Sequence, residues 1–329
     1  MFMERTKLKG GSLSGTYHCV DRGRAFIRKE VSLTENREFG FYRWFSQLKK
    51  LQRLGRMFPE LFPKVIGIGV EGGLSYFDLE FIEDSVTAHQ FLVKNPSPKD
   101  AENLFRELTR AMDRIHSLKM PSFKGGFDLY IEEEVERALE FCMDDPTFRR
   151  FAKHKTVVWN GKEVPSLVGC IDEFKTLAAR HYTKPEECLT HGNITLENLL
   201  YVPAKNKIVF IDLYEENYAD TVLNEYSQIL QSCNGLYELY NAKTPTVDGN
   251  EVTAEIEYVP GLDNFNALFK QFLKKRLSPD EIIVTNLYEV SQFTRMLPFK
   301  KTIAKDKMIL FYALASDLFS RIADGNGRG

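Results

Sequence analysis

An amide and a carboxylate carry the chemistry most easily read from this chain: Asn198, closing the run Leu189-Thr-His-Gly-Asn-Ile-Thr-Leu-Glu-Asn, and Asp212, closing Ile208-Val-Phe-Ile-Asp. A short apolar strand leads into a polar loop and a second apolar stretch, Pro203 to Lys207 turn the chain, and the returning strand ends in Asp212. Such a hairpin sets Asn198 beside Asp212. An amide oxygen next to a carboxylate makes two hard oxygen ligands, a set that suits Mg²⁺ when phosphate oxygens complete its shell. Phosphoryl transfer uses this arrangement together with a residue a few positions earlier that orients the acceptor hydroxyl, and Asn193 stands there. Taken singly, His191 reads as a hydrogen-bonding loop residue, Asn198 as a turn residue and Asp212 as a solvated strand end. Glu197 reads as solvent-facing or as a loop brace. The spacing favours the metal reading.

A phosphate-binding side is sketched near the N-terminus. Gly10, Gly11, Ser12, Ser14 and Gly15 precede the first clear strand. Glycines let a backbone approach phosphate oxygens closely, and serine hydroxyls add donors. Gly10 and Gly15 have the spacing of a Walker A loop, but Thr16 sits where lysine is required and no helix follows. A phosphate-covering flap between two strands suits the context better, with a plain Gly-rich hairpin as the alternative. The next strand ends in Ile27-Arg-Lys-Glu, and Glu35 and Glu38 follow on a helix. Lys29 ordered by Glu38 is the favoured cation–carboxylate pair. Arg28 competes, because strand register decides which side chain faces the site, and an exposed surface ion pair is the bland alternative.

The elements that must position these residues follow from periodicity. Arg5–Lys9, Gly15–Asp21, Ala25–Val31, Lys64–Val70 and Leu74–Ile82 read as strands, with tight turns at Arg22-Gly23 and Glu71-Gly72-Gly73. Thr34 is the expected N-cap of a helix reaching Leu54, with Phe41, Phe45, Leu48 and Leu51 on its apolar face. Beyond Ser85 the pattern is mostly helical: 98–118, 132–142 and 168–181, then a β-rich interruption over 188–212, then 264–275, 279–296 and 306–322. A small β lobe (residues 1–85), a connector and a larger helical lobe (86–329) make a two-lobed plan with a cleft between.

The segment 189–213 resembles the catalytic-loop motif of the aminoglycoside phosphotransferase and choline kinase superfamily, His-x-Asp-x-x-x-x-Asn followed by Ile-Asp and an apolar residue. His191, Asn198 and Asp212 match it, while Asn193 stands where that family has its catalytic Asp. The run Asp220–Ser232 is similar to the helix after the metal-binding Asp, in the form found in uncharacterised kinases of bacterial surface-polysaccharide clusters. Weaker likeness at Arg110–His116 and in the N-lobe extends the match over most of the chain. The resemblance implies an α+β, protein-kinase-like fold with an antiparallel N-lobe sheet, one N-lobe helix and a mainly helical C-lobe. It implies ATP and Mg²⁺ as cofactors, with Asn198 and Asp212 as metal ligands and Glu80 and Ile82 beside the adenine. The acceptor it implies is a hydroxyl of a small polar metabolite, such as a sugar or amino alcohol.

Asn193 alters that picture. A carboxylate there could take the acceptor's proton and an amide cannot; general-base help is typically worth ~10²–10⁴ in rate. The transition state of phosphoryl transfer is loose, so positioning and metal supply most of the catalysis. Three readings stay open: an engineered trap of an active kinase, a natural variant whose base lies elsewhere, or a pseudokinase that binds nucleotide and acts as a scaffold.

Composition narrows the partners. The 329 residues are 43% hydrophobic and 27% charged, with a formal net charge of −2, which gives no electrostatic reason to expect nucleic acid. Lys49, Lys50, Arg53 and Arg56 cluster at helical spacing and read as a solvated helix face. No apolar run reaches the roughly 20 residues that span a bilayer, and the first residues lack the apolar core of a secretory signal. Five cysteines with no CxxC pair argue against a disulfide framework and fit a reducing cytoplasm. A small-molecule substrate is the expected partner, with no nucleic acid and no membrane; the oligomeric state is open.

Overall fold

The computed structural model describes residues 3–8, 14–35, 40–120, 126–214 and 217–325. The chain divides into two compact units. The first runs to Ala88 and also takes in His191–Ile194 and Asn198–Asn217, so Asn193, Asn198 and Asp212 pack with the N-terminal sheet. The second holds the remainder.

In the first unit, β1 (Glu4–Lys7), β2 (Gly15–Asp21), β3 (Arg24–Ser32), β4 (Val65–Glu71) and β5 (Leu74–Glu80) form an antiparallel sheet in the order β1-β2-β3-β5-β4. The β2–β3 turn puts Arg22 and Gly23 at φ 51° and 76°, and the β4–β5 turn puts Gly72 and Gly73 at 57° and 81°. Both central residues of each turn are left-handed, which matches the strand twist of a tight hairpin.

One helix, α1 (Phe41–Met57), packs on this sheet. It starts at Phe41, later than Thr34. The Ser32 hydroxyl accepts the amides of Thr34 (3.2 Å) and Glu35 (3.0 Å), a local turn that competes with helix initiation. The buried stripe also differs from the expected one. Trp44, Leu48, Leu51 and Leu54 face inward while Phe45 is exposed. The Trp44 ring lies 5.2 Å from that of Phe77 on β5, and its Nε1 donates to the Lys29 carbonyl at 3.2 Å. Within the basic cluster, Lys49, Arg53 and Arg56 are exposed, but Lys50 is buried, its ammonium donating to the Tyr214 carbonyl.

The β-rich interruption is a hairpin of Leu199–Val202 with Lys207–Phe210, and β6 (Val86–Thr87) pairs on the outer side of Leu199–Val202. Asn206 turns the hairpin at φ 44° and accepts the Tyr201 hydroxyl at 2.9 Å. The Phe210 amide donates to the Leu61 carbonyl at 2.8 Å, which ties the hairpin to the segment after α1.

The second unit is built on helices Pro98–His116, Gly126–Cys142 (through a π turn at Glu132–Glu136), Ile171–His181, Val222–Cys233, Pro260–Arg276, Pro279–Thr294 and Lys305–Ala323. Most of these helices bury residues in one aromatic-rich core that includes Phe127, Tyr130, Tyr288, Phe293, Phe311 and Tyr312, while Pro98–His116 and Pro260–Arg276 meet through Phe105 and Phe265, whose ring centroids lie 6.0 Å apart. Periodicity did not anticipate its four-stranded sheet, made of Thr246–Asp248, Glu251–Thr253, Thr156–Trp159 and Lys162–Pro165. Among the described residues no helix is long and apolar enough to cross a membrane.

Candidate functional site

Strand β3 sends two neighbouring cations to opposite faces of its sheet. Arg28 and Lys29 are both buried. Arg28 forks onto Asp78, its strand partner on β5, with Nε to Oδ1 at 2.8 Å and Nη2 to Oδ2 at 2.9 Å. It also lies over the Tyr76 ring (3.7 Å to the centroid) and reaches Glu71 at 3.3 Å. The hydrogen bonds to Asp78, more than any other cause, raise the already high Arg28 pKa. Glycines on β4 make room on this face: a Cβ at Gly67 would sit 3.1 Å from Asp78 Oδ2, and one at Gly69 2.6 Å from the Tyr76 hydroxyl. Arg28 is therefore committed to a closed cluster.

Lys29 points the other way, and its ammonium contacts Oδ1 of Asp212. Burial draws its pKa down to about 7, while the adjoining carboxylate favours the charged form. The third member is Gln47, on the inner side of α1. Its Oε1 accepts from Lys29 Nζ at 3.2 Å, and its Nε2 donates to Asp212 Oδ1 at 3.2 Å and to the Leu213 carbonyl at 3.0 Å. One amide thus holds a cation with its oxygen and a carboxylate with its nitrogen. Sequence reasoning placed Glu38 in this role. Glu38 lies outside the described residues; among those described, Gln47 is the α1 side chain that accepts from the Lys29 ammonium. The available signal was helical phase: Gln47 lies three residues after the buried Trp44.

The loop before the hairpin is braced from within. His191 is fully buried; its Nδ1 accepts the Asn193 amide at 3.2 Å and its Nε2 meets the Ile211 carbonyl at 2.8 Å. The imidazole therefore has Nε2 protonated and Nδ1 bare. Gly192 takes φ +86°, and a Cβ there would lie 2.3 Å from the Tyr214 carbonyl oxygen. Asn198 Nδ2 donates to the Asn193 carbonyl at 2.8 Å, Asn193 Nδ2 reaches the Asp212 carbonyl at 3.4 Å, and the Ile211 amide bonds the Asn198 carbonyl at 3.0 Å. Asn193, Asn198 and Asp212 are thereby linked residue to residue. Asp212 itself sits at φ 59°, a left-handed backbone uncommon for a non-glycine residue and frequent at functional sites.

Of the remaining sequence candidates, Gly10, Gly11 and Ser12 lie outside the described residues. Ser14 is half-buried and Gly15 opens β2, facing Glu30 on β3. Glu80 ends β5, where its amide donates to the Lys64 carbonyl at 2.9 Å and its carboxylate accepts the Lys64 amide at 3.0 Å. Ile82 is half-buried and its carbonyl accepts the Ser85 hydroxyl at 2.7 Å. Among the described residues, these hydrogen bonds do not join either residue to the Lys29–Asp212 cluster. The cysteines are unpaired; Cys19, Cys142, Cys188 and Cys233 are buried. Among the described residues no group of three or more His, Cys, Asp or Glu side chains could hold a metal by itself.

No protein-family profile and no curated protein matches the sequence. Solved structures do. A thermostable mutant of the aminoglycoside phosphotransferase APH(4)-Ia, in ternary complex with AMP-PNP and hygromycin B, aligns with a TM-score of 0.63 over 98% of this chain and 95% of its own, at 13% identity. The fold is kinase-like. The GDP complex of an aminoglycoside 2'-phosphotransferase-IIIa mutant gives 0.62 over 98% and 93% at 13% identity. A putative fructosamine-3-kinase from Haemophilus somnus gives 0.55 over 96% and 92% at 14% identity. The mixed α+β architecture, with its antiparallel N-terminal sheet and helical remainder, is the one these phosphotransferases share.

Proposed function

We propose that this chain is an ATP- and magnesium-dependent phosphotransferase acting on a hydroxyl of a small polar metabolite, a sugar or an amino alcohol. The observation that carries the reading is the contact of a buried strand lysine, Lys29, with Asp212 at the end of the loop hairpin. That pairing joins a phosphate-holding cation to a metal-binding carboxylate, the two charges that phosphoryl transfer needs side by side.

The donor set fits magnesium. Asp212 supplies a carboxylate, and because Asn198 donates its amide nitrogen to Asn193, its amide oxygen is left as the ligand atom. Two oxygen ligands are what Mg²⁺ takes from a protein when phosphates and water supply the rest. Magnesium, when bound, would offset negative charge on the phosphates. Lys29 would hold phosphate oxygens, released from Asp212 as that carboxylate turns to the metal. Gln47 would steady both side chains through the exchange. Gly10, Gly11, Ser12, Ser14 and Gly15 would cover the nucleotide, and Glu80 and Ile82 would flank the adenine. Asn193 would orient the acceptor hydroxyl without taking its proton. The narrower likeness to kinases of surface-polysaccharide clusters rests on the Asp220–Ser232 run alone.

A second reading, a catalytically silent nucleotide-binding scaffold, is favoured by the amide at position 193. Thermal-shift titration with ATP and Mg²⁺, followed by phosphate transfer across a panel of sugars and amino alcohols, tests both. Magnesium-dependent stabilisation with transfer supports the kinase, stabilisation without transfer the scaffold. No nucleotide response at millimolar ATP refutes both.

A further inference from the structure

Strand β4 is an edge strand of a kind that folded proteins rarely leave bare. Among the described residues it pairs with β5 alone. Its sequence, Val65-Ile-Gly-Ile-Gly-Val-Glu71, contains no proline or lysine, and Ile66, Ile68 and Val70 are 49%, 53% and 66% exposed. Edge strands are normally protected by charge, proline or a covering element, since their unpaired amides and carbonyls template further pairing. Among the described residues the devices present are a bulge at Ile66 and the charge of Glu71 at the strand's end, and they leave Gly67–Val70 regular and uncharged. Beside the strand, a groove of ≈ 550 Å³ runs along the C-terminal half of α1, with Leu51, Arg56, Phe62 and Lys64 among its lining.

We infer that β4 is the contact between two copies of this chain, joined antiparallel about a two-fold axis through residue 68. The register is chosen by complementarity. With Ile68 facing Ile68, Ile66 faces Val70 in both directions, so all the exposed apolar side chains meet apolar partners and Gly67 faces Gly69. A shift of one residue sets each isoleucine against glycine or Glu71, and a shift centred on Gly67 or Gly69 leaves one apolar residue without an apolar partner. Charge agrees with the same pairing. Lys64, exposed, precedes the strand, and Glu71, with its side chain 76% exposed, ends it. Antiparallel pairing sets each Lys64 one position along from the other copy's Glu71, which also contacts Arg28 within its own sheet. The contact is isologous and closes on itself, so it gives a dimer. This inference stands independently of the proposed activity.

Sedimentation velocity on the full chain is the test, with single variants and cross-linking to fix the register. The wild type is expected to be a dimer, and Ile68→Lys or Val70→Lys, each checked for folding by circular dichroism, a monomer with an unaltered thermal response to ATP. Facing Cα atoms in an antiparallel pair lie about 4.5 or 5.5 Å apart, within the roughly 4.4–6.8 Å that a disulfide spans. Ile68→Cys should therefore form a disulfide-linked dimer on mild oxidation, whereas Val70→Cys should link to Ile66→Cys and not to itself. A monomeric wild type overturns the inference. So does a dimer that survives both lysine variants, or one in which Val70→Cys self-links and Ile68→Cys does not.

Discussion

The Lys29 ammonium rests against Oδ1 of Asp212, and the Gln47 side-chain amide touches both partners. Its neighbour Arg28 is buried as deeply but is locked to Asp78 on the opposite face of the sheet. The two cations should therefore fail differently when removed. Lys29→Met should abolish nucleotide-dependent stabilisation while the protein still folds. Arg28→Ala should leave Asp78 buried without its partner, at a cost of about 3–5 kcal/mol, with the remaining folded protein still responding to ATP. Chemical denaturation and thermal shift on both variants check this; loss of the ATP response in Arg28→Ala alone would reverse the assignment.

Gln47 makes a second test. Gln47→Leu removes the acceptor of Lys29 and a donor to Asp212 together. Leaving buried polar groups short of partners costs about 1–3 kcal/mol, so stability should fall by that amount and nucleotide affinity should weaken. Gln47→Glu keeps the acceptor but sets a second carboxylate against Asp212. Its nucleotide affinity should depend more steeply on Mg²⁺ than that of the wild type, as isothermal titration at several Mg²⁺ concentrations would register.

Much of this arrangement was legible in the sequence because it is local. The hairpin carrying Asn198 and Asp212 follows from two apolar runs about a Pro-led turn, and the β2–β3 and β4–β5 turns follow from glycine position. The choice between Arg28 and Lys29 was not legible, since it depends on which face α1 covers, and that is fixed by Trp44 packing on Phe77. The start of α1 was misplaced because Ser32 draws the amides of Thr34 and Glu35 into a local turn, and the helix begins at Phe41 without a side-chain cap. In the second unit, Trp159-Asn160-Gly161-Lys162 is a strong two-residue hairpin signal, with Asn160 and Gly161 both left-handed. The parallel pairing of Glu251 and Val252 with Val158 and Trp159 is not, for it joins segments far apart in the chain.

Gly192→Ala should be among the most damaging single-methyl additions in the chain. The backbone there is left-handed at φ +86°, and the new Cβ would meet the Tyr214 carbonyl oxygen at 2.3 Å and Asn217 Nδ2 at 2.4 Å. Left-handed strain alone costs on the order of 1–3 kcal/mol, and relief of the contact would shift the loop holding Asn193. A lower melting temperature with a weakened ATP response is expected; wild-type values for both would show that the loop is not held as described.

The second unit sets a pH dependence of definite sign. Burial above all raises the Glu289 carboxyl to about 7, although Asn234 donates to both of its oxygens. Glu238 is likewise raised to about 7, chiefly by burial. Both values exceed the ~4.3 of an unfolded glutamate, so the folded state holds more protons than the unfolded state between them. Stability should be greatest below about pH 4.3 as far as these groups decide it, and their contribution should be lost as pH rises through about 7. Glu289→Gln should flatten that slope and stabilise the protein at pH 8 by up to roughly 3 kcal/mol. Urea denaturation from pH 4.5 to 8 measures it, and an unchanged slope would place the ionisation elsewhere.

Asn193→Asp decides what the loop can do. Among the described residues, the amide it replaces makes a long contact, 3.4 Å, to the Asp212 carbonyl, so little structure is lost. The Asn193 backbone amide to His191 and the carbonyl that receives Asn198 do not depend on its side chain. The loop should keep its shape and gain a carboxylate able to take the acceptor's proton. General-base help is worth about 10²–10⁴ in rate, and a loose transition state draws on the lower part of that range. The variant should therefore transfer phosphate at least about tenfold faster than the wild type on whichever acceptor the wild type prefers, with nucleotide affinity changed little. A smaller gain across a broad panel, in a variant that still binds ATP, would mean that residue 193 does not face the acceptor hydroxyl.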